Sequence, residues 1–499
     1  MAQSASTTQK SNLLPYDYVK ANQIIALEEA EGCRVISTAA ISIETYHELS
    51  RYLNQDFKME ICDADRFDAL LTGIFSTGNG SDPFSDELNE GFDLKSFANS
   101  IAPTEDLLSG NDDAPIIKLI NGVISQAINQ RASDIHFEPY EDQFIVRYRI
   151  DGILKRVLTQ DSRIAPLVIS RIKIISRLDI SERRLPQDGR VSLSLGKKRV
   201  DVRVSTLPSS YGERIVLRLL DKQSAQINID DLGLNEKILR NYKRTLGASE
   251  GIILVTGPTG SGKTTTLYAG LRFLNDASRN ILTVEDPIEY TLKGIGQTQV
   301  NMKTGYDFAK GLRSMLRQDP DIVMVGEVRD QETARIAIQS SLTGHLVLST
   351  IHTNSAVGAI TRLRDMGIES FLLASSLKTI ISQRLARRLC QECKQETTLT
   401  TDLAKIFDLQ SSQTVYTASG CDHCDASGYL GRIAIAESIQ IDEQLKSLIH
   451  EEASEQHIKS HAFKDNASID ELGRDLLLNG LTSAEELMRI NNQKEDASL

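Results

Sequence analysis

The sequence predicts an α/β protein in which a mostly parallel, helix-covered sheet follows an α+β domain and a small N-terminal domain. Three observations lead to this prediction. After about residue 251, short continuous apolar runs alternate with helical stretches, a pattern typical of strands buried on both faces. In the preceding region apolar residues alternate with arginines, which indicates half-buried strands. Two pairs of cysteines near the C-terminus indicate a metal-binding insertion in the main domain.

The chain length favours about three domains, because 499 residues exceed what one hydrophobic core usually supports. We expect an N-terminal domain over residues 1–75, an acidic linker over 76–111 and a second, α+β domain over 112–235. The main domain then covers residues 236–499, including a cysteine module over 390–433 and a C-terminal helical segment.

The composition favours a globular protein without a nucleic-acid partner. Its 68 acidic and 56 basic residues give a net charge of −12, whereas nucleic-acid-binding domains are typically basic. No apolar run is long enough to cross a bilayer, and the start of the chain lacks the charged and apolar regions of a signal peptide. We therefore expect a cytosolic location.

Residues 13–75 alternate short apolar runs with helical stretches such as SIETYHELSRYL, which indicates a small α/β or helical module. Cys33 and Cys62 lie in this module without partners at metal-ligand spacing, so we expect both in its core. The stretch that follows, STGNGSDPFSDELNEGFD, is rich in Gly, Ser, Pro and acidic residues, as linkers are.

A helix capped by Asp112 or Asp113, with Pro115 in its first turn, is expected to open the second domain. The segment QFIVRYRIDGILKRV then alternates apolar residues with arginines and turns at Asp151 and Gly152, which predicts a hairpin. Similar alternation returns at residues 200–205 and 214–220. We therefore expect an arginine-bearing sheet in this domain.

A glycine-rich segment between an apolar strand, IILVT, and a helical stretch, TTTLYAGLRFL, has the context of a phosphate-binding loop. Small residues let backbone amides surround a phosphate, and the helix start adds partial positive charge. Lys263 would reach the β- and γ-phosphates of ATP, and the Thr264 hydroxyl would hold Mg²⁺. An ordinary glycine turn is the alternative. The loop consists of Gly257, Pro258, Thr259, Gly260, Ser261, Gly262, Lys263 and Thr264.

Hydrolysis also needs a carboxylate at the end of a neighbouring buried strand, where it can polarise water. Glu327 ends the strand DIVMVGE and is our candidate for the catalytic residue. Glu285 or Asp286, at the end of ILTVEDP, would hold Mg²⁺ through its waters. The alternative for Glu327 is that it caps the following helix.

His352 follows the strand HLVLSTIH at the edge where such sheets bind ligands, and is a candidate γ-phosphate sensor. A structural histidine is the alternative, and His345 lies at the other end of the strand. Arginines can neutralise charge on a transferring phosphate. The candidates are Arg203 and Arg218 of the second domain and Arg313, Arg317 and Arg329 around the Glu327 strand.

Cys390 and Cys393 form one CxxC knuckle, and Cys421 and Cys424 form another after residues 394–420. Four thiolates from two tight turns make a closed tetrahedral site, which suits structural Zn²⁺. A redox pair and four unrelated buried thiols are the alternatives, and His423 is a competing ligand.

These motifs together resemble the secretion and pilus ATPases, and most closely the type II secretion branch, general secretion pathway protein E. The resemblance covers residues 112–499 with specific motifs and the first 100 residues more loosely. It implies a RecA-like P-loop core, with the Walker A loop at residues 257–264 and an aspartate box at 283–289. The Walker B segment falls at 321–327 and the histidine box at 344–352.

The resemblance implies that Glu327 is the catalytic glutamate and that Arg203 and Arg218 lie near the γ-phosphate. It further implies a homo-hexamer at the cytoplasmic face of the inner membrane, docked through its first domain onto the cytoplasmic part of a membrane-anchored secretion component. An inner-membrane platform protein would be a second partner. Motion between the second domain and the core would then drive pseudopilus assembly and export of folded proteins across the outer membrane.

A type IV pilus assembly ATPase shares every core motif and is the main alternative, although such relatives usually carry a longer N-terminal region. A retraction motor fits less well, because those relatives lack the first domain and the cysteine knuckles. A nucleotide-gated scaffold conflicts with the presence of Lys263, Thr264 and Glu327. A DNA translocase conflicts with the negative net charge.

Overall fold

The computed structural model describes residues 14, 19, 22–29, 32–53, 56–63, 66–67, 94–100, 114–195, 198–220 and 227–496. Over these residues the predicted fold class is confirmed: a small N-terminal α/β unit, an antiparallel sheet with helices, and a mostly parallel sheet covered by helices. None of the described helices is both long and apolar enough to cross a membrane.

The N-terminal unit contains strands β1 (Ile24–Glu29) and β2 (Gly32–Ser37), helix α1 (Ile43–Leu53) and strand β3 (Phe57–Ile61). Strands β1 and β2 pair antiparallel, and β2 and β3 pair parallel. Cys33 and Cys62 are both buried, as expected from the sequence. Apolar residues of β1 and β2 pack with Leu49 of the helix, so the unit has its own small core.

The stretch predicted to be a linker contains a helix, α2 (Leu94–Ser100). Its Leu94 and Ala98 are buried against helix α3 (Ala114–Asn129) in the core of the second domain. Apolar residues spaced four apart give α2 a face that gains free energy by leaving water, so it docks instead of remaining extended. The predicted helix caps, Asp112 and Asp113, lie outside the described residues.

The second domain has six antiparallel strands and helix α4 (Ala165–Ile175). The strands are β4 (Asp134–Pro139), β5 (Gln143–Ile150), β6 (Ile153–Asp161), β7 (Gln187–Leu195), β8 (Lys198–Ser209) and β9 (Gly212–Leu220), in the order β6-β5-β4-β9-β8-β7. Asp151 and Gly152 have φ of 48° and 87° at the tip of the β5–β6 hairpin, as a two-residue primed turn requires. Helices α3 and α4 cover the apolar face.

The main sheet has the order β12-β11-β13-β14-β10-β15-β18 and is parallel except for the edge pair β15–β18. Alternate residues of its strands enter two different cores. Ile252 and Leu254 face one hydrophobic cluster, whereas Ile253 and Val255 face the other. This explains the continuous apolar runs in the sequence, because every position of such a strand is buried.

The elements of this region, in chain order, are α5 (Glu236–Leu246), β10 (Gly251–Thr256), α6 (Lys263–Leu274), β11 (Ile281–Glu285), β12 (Gly296–Gln299), α7 (Phe308–Met315), β13 (Ile322–Val325), α8 (Gln331–Leu342), β14 (Leu346–Ile351), α9 (Ala356–Asp365), α10 (Ser370–Ser376), β15 (Leu377–Leu389), β16 (Gln395–Thr398), α11 (Thr401–Ile406), β17 (Thr414–Thr417), β18 (Tyr429–Gln440), α12 (Glu443–His450), α13 (Glu455–Ala462), α14 (Ile469–Leu478) and α15 (Ala484–Asp496). Strands β16 and β17 pair antiparallel in the segment between β15 and β18.

Candidate active site

A cleft of about 2670 Å³ lies between the antiparallel sheet of the second domain and the carboxyl ends of the parallel strands. Strands β10, β11, β13 and β14 run in the same direction, so the residues that follow them meet at one edge. Ligands of open parallel sheets bind at such an edge. The cleft is lined by the glycine-rich loop after β10 and by Asp286, Glu327 and His352 after the other three strands.

The glycine-rich loop, residues 257–264, leaves no room for side chains at its glycines. Gly257 has a φ of 141°, and a Cβ on it would lie 2.2 Å from the Gln383 carbonyl oxygen. Gly262 has a φ of 88° and stands directly before helix α6. Only glycine adopts these conformations at low cost. The backbone amides at the start of α6 therefore border the cleft, as a phosphate site requires.

Lys263 is the first residue of α6 and folds over the loop. Its Nζ donates to the carbonyl oxygens of Gly257 at 2.8 Å and Pro258 at 3.0 Å. Burial lowers the pKa of Lys263 to about 8, and the nearby Glu327 carboxylate opposes this shift. An ammonium whose charge is poorly solvated has much to gain from a phosphate, so the electrostatics of the loop fit a nucleotide.

The loop is also held from below by a residue that the sequence reasoning missed. Gln383 on β15 is buried, and its Nε2 donates to the Ser261 carbonyl oxygen at 2.7 Å. The Thr266 hydroxyl donates to Gln383 Oε1 at 2.8 Å. A polar residue in the otherwise apolar run TIISQRL is the sequence signal for this contact. Gln383 thereby ties the loop and the first turn of α6 to the sheet.

Glu327 lies between a histidine and an arginine. Its Oε1 is 3.2 Å from His352 Nε2, and Arg329 Nε donates to its Oε2 at 2.8 Å. Burial and the charge of Lys263 lower the pKa of His352, although Glu327 opposes them, so the imidazole is neutral at pH 7. The structure thus brings Glu327, His352 and Lys263 together in one corner of the cleft.

The two carboxylates after β11 have different environments. Glu285 is 3% exposed and accepts hydrogen bonds from Thr283, Tyr268 and Gln297. Burial raises its pKa, although these donors oppose the shift. Asp286 keeps 42% of its side chain exposed and lies 4.0 Å from Arg329. A metal-bound water in the cleft therefore has readier access to Asp286 than to Glu285.

Arginines form a row across the polar face of the antiparallel sheet. Arg190, Arg203 and Arg218 are consecutive cross-strand partners on β7, β8 and β9, and Arg218 is opposite Asp134 on β4. Direct partners point to the same face. Arg218 Nε donates to Asp134 Oδ1 at 2.9 Å. Arg190 and Arg218 line the cleft, whereas Arg203 is not among its described lining residues.

The remaining candidates are more dispersed. Arg329 lines the cleft, whereas Arg313 pairs with Glu332 and Arg317 donates to the Arg313 carbonyl oxygen. His345 precedes β14 at the opposite edge of the sheet, where its Nδ1 lies 2.9 Å from the Ser340 carbonyl oxygen. Arg190 was missed by the sequence reasoning, and its position in the row is evident only from the register of β7.

The four cysteines of the two knuckles converge, with all Sγ atoms within 4.8 Å of one another. The Sγ–Sγ distances are 3.9 Å for Cys390 and Cys421, and 3.8 Å for Cys393 and Cys424. Ligands about 2.3 Å from a tetrahedral Zn²⁺ would be about 3.8 Å apart, so the donor set fits this metal. His423 is exposed and not part of the cluster.

Comparisons with known proteins agree with this architecture. The family described as "Type II/IV secretion system protein" matches residues 109–489, and an N-terminal domain family of "GSPII protein E" matches residues 13–75. Type II secretion system protein E of Pseudomonas aeruginosa is 48% identical, covering 96% of both chains. Type II secretion system ATPase E of Vibrio cholerae is 46% identical, covering 99% of both chains.

A crystal structure of the pilus retraction motor PilT with bound ADP is similar in fold, with a TM-score of 0.51 and 26% identity. The match covers 74% of this chain and 95% of that one. The matched family spans most of the present chain, and the two full-length relatives extend the similarity to the N-terminal unit. The chain therefore belongs to the type II/IV secretion system protein family, within its group of type II secretion E proteins.

Proposed function

We propose that this chain is the ATP-hydrolysing motor of a type II secretion system and that the reaction takes place in the cleft. The observation that carries the proposal is Glu327, held by His352 and Arg329 at the edge of the sheet beside the Lys263 loop. The relationship to secretion ATPases and the ADP bound by the PilT structure support the same nucleotide chemistry.

In this proposal the amides of residues 257–264 and the Lys263 ammonium bind the phosphates of ATP. Lys263 gives up its two carbonyl partners in exchange for phosphate oxygens. Glu327 accepts a proton from the attacking water and orients it toward the γ-phosphate. His352, neutral and beside Glu327, can donate a hydrogen bond to the γ-phosphate and so report whether it is present.

The Thr264 hydroxyl and the Asp286 carboxylate offer the oxygen ligands that Mg²⁺ prefers, with Asp286 acting through water. When bound, Mg²⁺ neutralises charge on the β- and γ-phosphates. We assign Glu285, the other carboxylate of this network, to support of the site, because it is buried and already hydrogen-bonded.

The arginine row supplies positive charge from the opposite wall of the cleft. Arg218 is held by Asp134 in the present arrangement, so it must exchange this partner for the nucleotide. Arg203 lies beside it in the row and reaches the cleft when the sheet approaches the core. Phosphate binding would in this way draw the second domain toward the core, which couples hydrolysis to motion.

We assign the four cysteines to a structural Zn²⁺ that fixes the segment between β15 and β18. The spacing of the sulfurs supports this assignment. The backbone amides of Gly420 and Gly428 donate to Cys393 Sγ and Cys424 Sγ at 3.3 and 3.1 Å. Such donors stabilise thiolates, the form that binds metal.

The chain acts with the secretion machinery as a homo-hexamer in this proposal. Residues 1–75 dock onto the cytoplasmic domain of an inner-membrane component, and an inner-membrane platform protein receives the motion that assembles the pseudopilus. The match of residues 13–75 to a domain family specific to GSPII protein E supports the docking role. The protein is therefore placed in the cytoplasm, peripherally attached to the inner membrane, without a nucleic-acid partner.

The activity is tested by phosphate release from Mg-ATP by the full-length chain and its Lys263→Ala variant. We expect the variant to lose both tight nucleotide binding and turnover, because no other group in the loop offers a charge to the phosphates. Equal turnover by both proteins would place hydrolysis outside this cleft.

The pathway is tested by capture of inner-membrane proteins with the full-length chain, using a variant without residues 1–75 as the control. Capture of a type II secretion component by the full-length chain alone supports the proposal. Capture of a pilus assembly protein instead would keep the reaction and favour the alternative, a type IV pilus assembly ATPase.

A further inference from the structure

Two ionisable side chains are buried side by side in the edge strands of the main sheet. Arg384 on β15 and Glu437 on β18 are each 3% exposed. Glu437 is the cross-strand partner of Ser382, two residues from Arg384, so the two side chains lie on the same face as diagonal neighbours. Gln383 points to the other face, where it holds the phosphate loop. Burying two charges is costly unless each is fully used.

Glu437 joins the starts of two helices. Its Oε1 accepts from the Ala356 amide at 2.9 Å, and its Oε2 accepts from the Ile469 amide at 3.0 Å. These amides begin α9 and α14 and have no acceptor within their own helices. A carboxylate is also favoured at a helix start by the helix dipole. One side chain thus connects the segment after His352 to the C-terminal helices.

Arg384 makes a second connection between the same two regions. Its Nη2 donates to the Asn354 carbonyl oxygen at 3.2 Å. Its Nη1 donates to the Ile490 carbonyl oxygen at 3.3 Å and to Asn491 Oδ1 at 3.2 Å, both in α15. Burial lowers the pKa of Arg384, so the guanidinium is costly to keep without these acceptors.

The segment that both residues grip, residues 352–356, begins with the histidine next to Glu327. It is also attached to the phosphate loop, since the Thr353 amide donates to Thr256 Oγ1 at 3.0 Å just before Gly257. A displacement of His352 would therefore be transmitted through Asn354 and Ala356 to Arg384 and Glu437, and from these to the C-terminal helices.

We propose that Arg384 and Glu437 are positioning residues that hold His352 beside Glu327 and couple nucleotide occupancy to helices α14 and α15. The proposal rests on the roles assigned above to His352 and Glu327. It gives the C-terminal helices a part in the reaction cycle, as the elements that read the state of the γ-phosphate.

The first test compares Arg384→Met and Glu437→Gln in the full-length chain with a matched control, Glu486→Gln. Glu486 is also a fully buried carboxylate of this region, but its partners are Arg387 and Arg489, and none of its described hydrogen bonds reaches residues 352–356. All three variants remove a buried charge, so a purely structural role would lower the melting temperature in each without separating their kinetics.

We expect kcat of Arg384→Met and Glu437→Gln to fall about tenfold or more, the effect of losing one hydrogen bond to a charged group. Their affinity for a fluorescent ATP analogue should change by less than about twofold, since neither residue touches the phosphate loop. Glu486→Gln should keep wild-type kcat. A parallel loss of kcat in the control, or a loss of nucleotide affinity equal to the loss of kcat, would overturn the positioning role.

The coupling is tested by hydrogen exchange with a non-hydrolysable ATP analogue. In the wild type we expect the analogue to slow exchange in residues 257–264 and also in residues 484–496. In Arg384→Met the protection of 257–264 should remain while that of 484–496 disappears. Retained protection of 484–496 in this variant contradicts the proposal, and Glu437→Gln, which preserves side-chain size, serves if Arg384→Met does not fold.

These outcomes are separate from those for the proposed function. If Glu327→Gln keeps normal turnover, the assigned reaction site fails together with this inference. If Glu327→Gln is inactive but Arg384→Met and Glu437→Gln behave like the control, the reaction site stands and the positioning role alone fails.

Discussion

At the scale of single residues, the site is defined by how each charged group is paired. Glu327 has a partner for each carboxylate oxygen, whereas the described hydrogen bonds of Lys263 go to backbone carbonyls. The carboxylate is therefore held in one orientation, and the ammonium can exchange weak acceptors for the stronger acceptors of a phosphate.

Replacing Glu327 with Gln tests its assignment as the base. We expect ATP binding to persist and turnover to fall roughly a hundredfold or more, because an amide cannot take a proton from water. Binding of a fluorescent nucleotide and steady-state phosphate release measure the two effects. Normal turnover in this variant would remove the catalytic assignment.

The lowered pKa of Lys263 predicts that nucleotide binding takes up a proton near pH 8 to 9. The free ammonium has a pKa of about 8 because it is buried, and bound phosphate must raise this pKa. Below pH 8 the lysine is already protonated, so affinity is greatest there and weakens as pH rises. Calorimetry in buffers of different ionisation enthalpy measures the uptake, which Lys263→Arg should abolish because arginine stays protonated.

The two carboxylates after β11 should respond differently to neutralisation. Glu285→Gln places an amide among the donors Thr283, Tyr268 and Gln297, so we expect a lower melting temperature. Asp286→Asn should leave stability unchanged and raise the Mg²⁺ concentration needed for half-maximal activity. Thermal unfolding and Mg²⁺ titration distinguish these effects, and the reverse pattern would assign the metal-bound waters to Glu285.

At the scale of elements, β15 has three roles. Gln383 supports the phosphate loop, Arg384 holds the segment after His352, and the C-terminal end of the strand leads directly to Cys390. The cysteine module is thus attached to the same strand that supports the site, yet its sulfurs lie outside the described lining of the cleft.

Removing the metal should therefore loosen one segment without changing the phosphate site. We expect chelation, or Cys390→Ser, to speed hydrogen exchange in residues 390–433 while nucleotide binding at 257–264 persists. A closed four-thiolate site contributes folding free energy to its own loops, which is the reason for this local effect. Elemental analysis that finds no zinc in the purified protein would contradict the assignment.

At the scale of the whole molecule, polar contacts hold the second domain against the core. Arg190 Nη2 donates to Gln299 Oε1 at 3.1 Å, and Lys155 Nζ donates to the Asp425 carbonyl oxygen at 3.0 Å. The Gly431 amide donates to Asp151 Oδ2 at 3.1 Å. Exposed contacts of this kind are individually weak, so the two bodies can separate and close again during a cycle.

Removing one of these contacts should weaken closure. We expect Lys155→Ala to raise the KM for ATP by about twofold to fivefold, because an exposed charged contact is worth about 1 kcal/mol at most. Arg156→Ala is the control, since it removes the same charge from the adjacent position of β6. Equal KM values for the two variants would show that the Lys155 contact does not contribute to closure.

Much of this architecture follows from local pattern. The continuous apolar runs predicted the buried strands of the main sheet, since each of their faces enters a core. The Asp151–Gly152 turn predicted its hairpin, because both residues tolerate positive φ. Helix α2 was missed within a polar, acidic stretch, where its few apolar residues acquire meaning only from the core they enter.

The sequence by itself determined the fold class, the phosphate loop, the strand-end carboxylates and the paired cysteines, because these features need only neighbours in the chain. The tertiary structure alone decided which groups meet. It buried Glu285 and left Asp286 in the cleft, aligned Arg190 with Arg203 and Arg218, and placed Arg384 and Glu437 between His352 and the C-terminal helices. Burial and pairing depend on strands and helices distant in sequence, and no local pattern encodes them.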